Sequence, residues 1–250
     1  MTLRLATGGP VARLLIDRPD KRNAFSQAMW EALPALVAAA MADPGVRLLV
    51  LESAHPGLFC SGADLAELLA NKDDAGWRAA NQAAINRAQY ELARAAKPVI
   101  AWIDGDCVGG GCGLALACDI RVASARARLG ISPAKLGLVY PLHDTKHLVD
   151  TVGPGQARRM LFTGMLVGAE EALRIGLVDE IAESPGHIEE MIAASSPHST
   201  GEMKRFVRRV LDGQVEDDVE TLRIFAEAFL GPDFLEGTGA FIAKRKPRFG

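Results

Sequence analysis

An α/β fold is predicted for this chain of 250 residues by three observations. Short apolar runs alternate with stretches of helical periodicity through the first half. A strand-like stretch then runs into a glycine-rich turn that opens an apolar helix, Val108-Gly109-Gly110-Gly111-Cys112-Gly113-Leu114-Ala115-Leu116. Finally, the last third reads as helices punctuated by Gly or Pro. Apolar residues make up 49% of the chain and charged ones 24%, the balance of a globular protein with a large core.

Each element follows from its residues. The start, residues 1–5, reads as a strand, and 11–16 and 47–51 are apolar runs suited to buried strands. Between them Ser26 stands where an N-cap belongs, ahead of a helix running to about Met41 and ended by Asp43-Pro44-Gly45. Residues 77–96 carry apolar positions at helical spacing, and Pro98 opens a strand over 99–103 that delivers the chain to the glycine turn. Another short strand follows at 120–123. Such alternation implies a mainly parallel sheet covered by helices. Beyond Asp144, segments 145–152, 155–163, 169–175, 187–195, 201–212 and 215–230 read as helices with no strand set of their own. The expected organisation is one continuous unit, an α/β core over 1–190 and a helical region over 191–250 that packs against neighbouring copies. The tail, 241–249, sets positive charge beside aromatics and reads as a solvated, partly frayed end.

Several classes are disfavoured. A net charge of −3 points to no polyanionic partner, so no nucleic acid is expected. No apolar run approaches the roughly 20 residues of a bilayer span, so no membrane is expected either. The start lacks a basic n-region followed by an apolar h-region, and a cytoplasmic location is the default. Cys60, Cys107, Cys112 and Cys118 form no C-x-x-C pair, and the five histidines do not complete zinc spacing, so no metal site is expected. The cysteines read as small buried fillers. Cys112 at a helix N-terminus could be a nucleophile, but no histidine stands close to it in sequence.

Two loops could supply backbone donors: the glycine turn, and Phe59-Cys60-Ser61-Gly62-Ala63-Asp64-Leu65 after the 47–51 strand. Both stand at C-terminal ends of parallel strands, where α/β proteins place ligands. Free N–H groups there would stabilise negative charge developing on an oxygen. Neither loop matches a dinucleotide fingerprint or a phosphate loop.

Taken together, the motifs resemble the crotonase (enoyl-CoA hydratase/isomerase) superfamily over nearly the whole chain. They are Arg18-Pro19-Asp20-Lys21-Arg22-Asn23-Ala24, the 59–65 loop, the glycine turn with Cys118-Asp119, Lys135-Leu136-Gly137, Leu161-Phe162-Thr163-Gly164, the 169–179 stretch, and Phe241 to Lys246. The resemblance implies a ClpP/crotonase-like spiral of ββα units with a helical C-terminal trimerisation region. It also implies homotrimers or dimers of trimers, and an acyl-CoA thioester as ligand. No separate cofactor is implied, since coenzyme A is part of the substrate. Carried over by position, Ala63 and Gly110 become the two oxyanion-hole donors. Arg22, Ala24, Ser61 and Leu65 line the coenzyme A path. Phe241 and Lys244 match a C-terminal pair that reaches the nucleotide, often from a neighbouring subunit.

The departures bear on the chemistry. Where hydratases of this superfamily carry two glutamates, this chain has Gly113 and Pro133. Adding water across a double bond needs an activating base and a proton donor, and neither residue can serve. Nearby, Tyr140-Pro141-Leu142-His143-Asp144-Thr145 stands where hydratases have Pro-Gly-Ala-Gly-Gly-Thr. The region is similar to the methylmalonyl-CoA decarboxylase-like branch, which has a tyrosine at the position of Tyr140, although it carries His and Glu at those of Ala63 and Gly113. Decarboxylation of a malonyl-type thioester needs no strong base. Tyr140 is therefore expected to orient a departing carboxylate, while Asp144 and His143 are the candidate acid/base groups. Each has a plainer alternative: Asp144 as N-cap of a helix from Thr145, and His143 exposed. Asp64 is expected to cap the helix after its loop, Asp119 to be a structural hydrogen-bonder, and His55, His147, His187 and His198 to lie at the surface. Three functional readings follow: a decarboxylase or isomerase, a hydratase with relocated acid/base groups, and a noncatalytic acyl-CoA-binding oligomer. Whether Tyr140, His143 and Asp144 turn inward discriminates the last from the others.

Overall fold

The structure, a computed structural model, describes residues 2–250. Its strands are β1 (Leu3–Ala6), β2 (Val11–Ile16), β3 (Leu48–Ser53), β4 (Leu58–Cys60), β5 (Val99–Ile103), β6 (Asp106–Val108), β7 (Ile120–Ala123), β8 (Arg128–Gly130), β9 (Leu166–Gly168) and β10 (Glu180–Ile181). The helices are α1 (Gln27–Ala42), α2 (Leu65–Ala70), α3 (Ala75–Ala93), α4 (Gly110–Leu116), α5 (Leu142–Thr163), α6 (Ala169–Arg174), α7 (Gly186–Ala193), α8 (Pro197–Leu211), α9 (Val219–Ala228) and α10 (Pro232–Ile242). The α/β class expected from the alternation is the one observed.

Two sheets turn in step. The larger has the order β1-β2-β3-β5-β7-β10, parallel except for the β1–β2 pair. The smaller has the order β4-β6-β8-β9, with β4, β6 and β8 parallel. The chain therefore visits the large sheet, then the small one, then a helix, and repeats. The short strands of the second sheet, three residues each, were not legible as strands in the sequence.

Period-two alternation divides the core. Leu49 and Leu51 of β3, with Val99, Ala101 and Ile103 of β5, face the main cluster under α1 and α3. Leu48, Val50, Ile100 and Val122 point the other way and are covered by Ile188 and Ile192 of α7. Both faces are thus buried, which explains the unbroken apolar runs. Arg13 of β2 pins this cover by donating to Glu52 of β3 at 3.2 Å and Glu189 of α7 at 2.8 Å.

Several expectations need correction. The last third is not strand-free, since β9 closes the small sheet and β10 the large one. Segments 145–152 and 155–163 are two helices as expected, joined within α5 at a kink where Gly153 is non-helical, φ 72°, but the first starts earlier, at Leu142. The stretch 232–242, left unassigned beyond the expected helices and partly in the tail, forms α10. Its Gly and Thr residues hide the period, but Gly231 and Pro232 give it a sound start. Ser26 does stand at the N-cap of α1, yet its hydroxyl makes no cap bond; the Gln27 N–H donates to Glu67 Oε2 at 2.9 Å instead.

His147 is not at the surface. It is buried, its ring set edge-on to His143 with centroids 4.8 Å apart. Burial, together with positive neighbours at His143 and Arg208, pulls its pKa down to about 4. Because the folded pKa lies below the unfolded one, the unfolded chain binds this proton first, and stability is lost as pH falls from about 6.5 to 4. The interval corresponds to roughly 3 kcal/mol. His147→Gln should flatten that part of a denaturant-stability profile against pH; an unchanged acid limb would refute the assignment.

Among the described residues, no helix is long and apolar enough to cross a membrane. Among the same residues no group of three or more His, Cys, Asp or Glu side chains is arranged to hold a metal ion.

Candidate active site

The site is assembled by the pairing of β4 with β6. Leu58 stands opposite Asp106 and Cys60 opposite Cys107, so the segments leaving the two strands emerge side by side. One is Ser61-Gly62-Ala63 and the other Gly109-Gly110. Gly62, at φ 103°, passes so close to the second segment that a side-chain carbon there would lie 2.8 Å from the Val108 carbonyl and 3.3 Å from the Gly110 nitrogen. Only glycine tolerates both the conformation and the approach.

The direction of the Ala63 amide follows from its bridge to Phe25. The Phe25 N–H donates to the Gly62 carbonyl at 2.8 Å, and the Asp64 N–H donates to the Phe25 carbonyl at 2.9 Å. In a parallel bridge the central residue turns its own N–H the other way. Gly110 is the first residue of α4, where an N–H has no intrahelical acceptor. Among the described residues neither amide donates to a backbone acceptor, and both residues are half-buried. The Ala63 nitrogen lies 3.5 Å from where a Gly110 side-chain carbon would sit. Trp30 of α1, fully buried and tilted against Phe25, backs the turn: its Cζ2 is 3.3 Å from that same point.

Asp64 caps α2 as expected, accepting from the Ala66 N–H at 3.0 Å, and also pairs with Arg18 at 2.8 Å. Asn23, buried and left-handed at φ 58°, holds the Arg18–Ala24 loop in place. It accepts from the Arg18 N–H and donates to Ser53 Oγ and the Phe59 carbonyl. This brings four of the expected coenzyme A positions to one rim. The Ser61 N–H donates to the Arg22 carbonyl at 3.1 Å, Ala24 is buried beside it, and Leu65 is exposed at the start of α2. The Arg22 guanidinium is exposed and pairs with Asp106 at 2.5 Å. Phe241 and Lys244 are not brought to this rim within one chain. Phe241 is 85% exposed on α10, and among the described residues no hydrogen bond or ion pair joins either residue to the 61–65 loop or the glycine turn.

The space above Gly113 is filled from elsewhere. Gly113 lies one turn along α4 from Gly110, on the same face. A side-chain carbon on it would strike Asp144 Oδ1, lie 2.5 Å from Gln89 Nε2, and 3.3 Å from Tyr140 Oη. Three segments meet there: α3 with Gln89, the stretch leading into α5 with Tyr140, two residues before its start, and the first turn of α5 with Asp144. Asp144 is therefore not an N-cap. Pro141 holds that position, and Asp144 is buried inside the first turn. The reason is the early helix start, which turns residue 144 toward α3.

Gln89 Nε2 donates to Asp144 Oδ1 at 2.6 Å, while Gln89 Oε1 and Asp144 Oδ2 have no partner among the described residues. Burial pushes the Asp144 carboxyl above the usual range, and the Gln89 bond and nearby His143 offset this only in part. The Tyr140 hydroxyl donates to the Gly109 carbonyl at 3.2 Å, and burial beside Asp144 keeps the phenol protonated. His143, half-buried rather than exposed, turns toward His147, and its Nε2 has no partner among the described residues. Pro133 stands in a single 3-10 turn after β8, whose Gly130 carbonyl accepts from the Gly109 N–H at 2.9 Å.

Gln89 and Trp30 were missed by sequence reasoning. The available signal for Gln89 was a polar residue on the stripe that buries Ala88, Leu92 and Ala93 of α3. The four cysteines are buried, and desolvation pushes the Cys60 and Cys118 thiols up to about 12, as fillers rather than nucleophiles. Asp119 is a structural bonder: it accepts from the Val99 N–H at 2.7 Å and pairs with Lys204 of α8 at 2.7 Å. The cavity of about 540 Å³ beneath α8 is lined by that pair and by Arg121, His147 and Arg208, away from the glycine turn.

Comparison with known proteins shows the family. The profile of the family described as Enoyl-CoA hydratase/isomerase matches residues 7–250. The crotonyl-CoA hydratase of Syntrophomonas wolfei is 32% identical, covering 96% of this chain and 94% of its own. The (E)-benzylidenesuccinyl-CoA hydratase of Thauera aromatica is 30% identical, over 100% and 99% respectively. The crystal structure of an enoyl-CoA hydratase/isomerase family protein from Hyphomonas neptunium superposes with a TM-score of 0.94 at 39% identity, covering 100% of this chain and 98% of the other. The chain belongs to the enoyl-CoA hydratase/isomerase family, the acyl-CoA-processing enzymes of the crotonase superfamily.

Proposed function

We propose that this protein decarboxylates a malonyl-type acyl-CoA thioester through an enolate. The observation that carries the reading is the Gly113 cluster. The carboxyl group beside the two free amides is buried, and burial favours its protonated form. A protonated carboxyl is a poor base but a ready proton donor. Loss of carbon dioxide needs no base: the bond from Cα to the carboxylate breaks, and its electron pair passes into the thioester carbonyl. Ala63 and Gly110 then hold the resulting oxyanion. Asp144 gives its proton to Cα, the carbonyl re-forms, and the Asp144 carboxylate regains a proton from water. The Tyr140 hydroxyl, which donates to the Gly109 carbonyl in the free protein, turns its one O–H to the departing carboxylate when substrate binds and so orients it. His143 is assigned to the support of Asp144 rather than to the substrate.

An acyl chain fits the exposed apolar residues next to these groups, Leu138, Val139, Leu142 and Leu65. The Arg22–Leu65 rim then takes the coenzyme A. Phe241 and Lys244 serve a neighbouring copy in a homotrimer or a dimer of trimers, an assembly favoured by the exposed apolar residues Met203, Val207 and Val210 of α8, Phe225 of α9 and Phe229 just after it. The inward placement of Tyr140 and Asp144 counts against a noncatalytic binding oligomer. Hydration by relocated groups is the second reading, favoured by the names of the relatives and by the unpartnered Asp144 Oδ2.

A panel of malonyl-CoA, methylmalonyl-CoA, crotonyl-CoA and 3-enoyl-CoA esters decides between them. Release of carbon dioxide from a malonyl-type ester is expected, slowed about 10-fold or more by Tyr140→Phe. Robust hydration of crotonyl-CoA, unaffected by Tyr140→Phe and by Asp144→Ala, would sink the proposal.

A further inference from the structure

We infer that Gln89 is a positioning residue that anchors Asp144 by Oδ1, leaving Oδ2 as the oxygen that exchanges a proton with the acyl α-carbon. The inference rests on the reading of Asp144 as the proton donor. Its geometric basis is independent of the substrate. Gln89 is fully buried on α3, and its amide donates to Oδ1 at 2.6 Å, whereas Oδ2 has no partner among the described residues. A carboxyl with one oxygen bonded and the other free cannot rotate without losing its bond in a medium where an unmade bond costs about 1–3 kcal/mol. The two oxygens are thereby made unequal. Gly113 is the other half of the arrangement, since any side chain there would occupy the place of the Asp144–Gln89 contact.

Tyr140 donates to the Gly109 carbonyl and also lies beside Asp144, and His143 faces both Asp144 and the His147 ring; the hydrogen bond that fixes Oδ1 is the one from Gln89. The Cys107 and Cys112 thiols approach the phenol from β6 and α4, and Arg208 of α8 stands behind His147. Among the described residues no Lys or Arg forms an ion pair with Asp144.

In the transfer, the Oδ2–H bond breaks and a C–H bond forms at Cα, using the enolate electron pair. Asp144 is left as a carboxylate whose charge rests partly against the Gln89 N–H. Removing that N–H therefore makes the carboxylate harder to form and also frees the group to rotate.

Gln89→Met, which keeps length and bulk without the amide, tests both effects. With malonyl-CoA and methylmalonyl-CoA as probes, kcat should fall about 10- to 100-fold from misplacement of the proton. KM should stay within about twofold, because Gln89 is not expected to touch the ester. The basic limb of the kcat–pH profile should move to higher pH, a readout that mere loosening of the fold would leave in place. Combining Gln89→Met with Asp144→Asn should cost no more activity than Asp144→Asn alone. An unmoved basic limb, or additive losses in the double variant, overturns the inference. A substrate-free measurement separates this from failure of the decarboxylase reading: a carboxyl NMR titration, with the Asp144 signal assigned by its loss in Asp144→Asn. The Asp144 titration should shift upward in Gln89→Met whichever ester is turned over, and no shift there refutes the anchoring itself.

Discussion

Gly110→Pro is expected to lower kcat about 10²- to 10³-fold, the loss typical of deleting one donor from an oxyanion hole. Proline suits the first position of a helix, where its missing N–H had no intrahelical acceptor, so α4 should form as before. Gly110→Ala is the matched control. It places a similar carbon 3.3 Å from Trp30 Cζ2 but keeps the N–H. The gap in kcat between the two variants reads the loss of the amide together with the ring carbon that takes its place, since the crowding by Cβ is common to both. Equal rates would remove Gly110 from the mechanism. A large gap confined to KM would make it a ground-state contact rather than a stabiliser of the developing oxyanion.

Asp144→Asn should abolish turnover while making the protein more stable at neutral pH. Loss of a positioned proton donor lowers the rate about 10²- to 10⁴-fold. The gain in stability has two sources. An asparagine amide can donate where Oδ2 has no partner, in a cluster that also holds the unpartnered Gln89 Oε1. It also removes a carboxyl that burial makes costly to ionise. The sign is fixed by linkage. The folded pKa is raised, so the native state binds the proton more tightly than the unfolded chain, and stability falls as pH rises from about 4 through the folded value. The variant lacks that slope, so its advantage over the wild type should be nil in acid and grow with pH. Thermal unfolding followed across pH checks this, at about 2–4 °C in Tm per kcal/mol for a chain of this size. A variant less stable at every pH would mean that the Asp144 carboxylate is a structural acceptor. His147 acts in the opposite sense, removing stability below about 6.5, and the two contributions can be separated by the His147→Gln variant.

Much of the frame was legible in the residues because local patterning and burial agree. The apolar runs at 48–51 and 99–103 are buried on both faces and that at 11–16 alternates buried with half-buried positions, and no other element type fits their length and flanks. The approach of the two loops was legible for a different reason: glycines that look wasteful in a strand-to-helix turn are required where two backbones close to within a carbon's width. The small sheet was not legible. Strands of three residues carry too little periodicity to be told from loops, and they are held by pairing partners far away in sequence. Helix α10 was hidden because Gly237 and Gly239 lower its apparent propensity, and packing restores what propensity lacks.

Residue identity and short-range order were enough for the fold class, for the two loops that leave β4 and β6, and for a glycine at 113 and a proline at 133. Only the tertiary structure decided what replaces the side chain at 113. Gln89 and Asp144 are 55 residues apart, and nothing local marks them as partners. Their meeting depends on where α5 begins, and so on which way residue 144 faces, and on α3 passing over α4. A one-residue change in either helix phase would turn Asp144 about 100° away, leaving a cap or a surface charge in place of a buried acid.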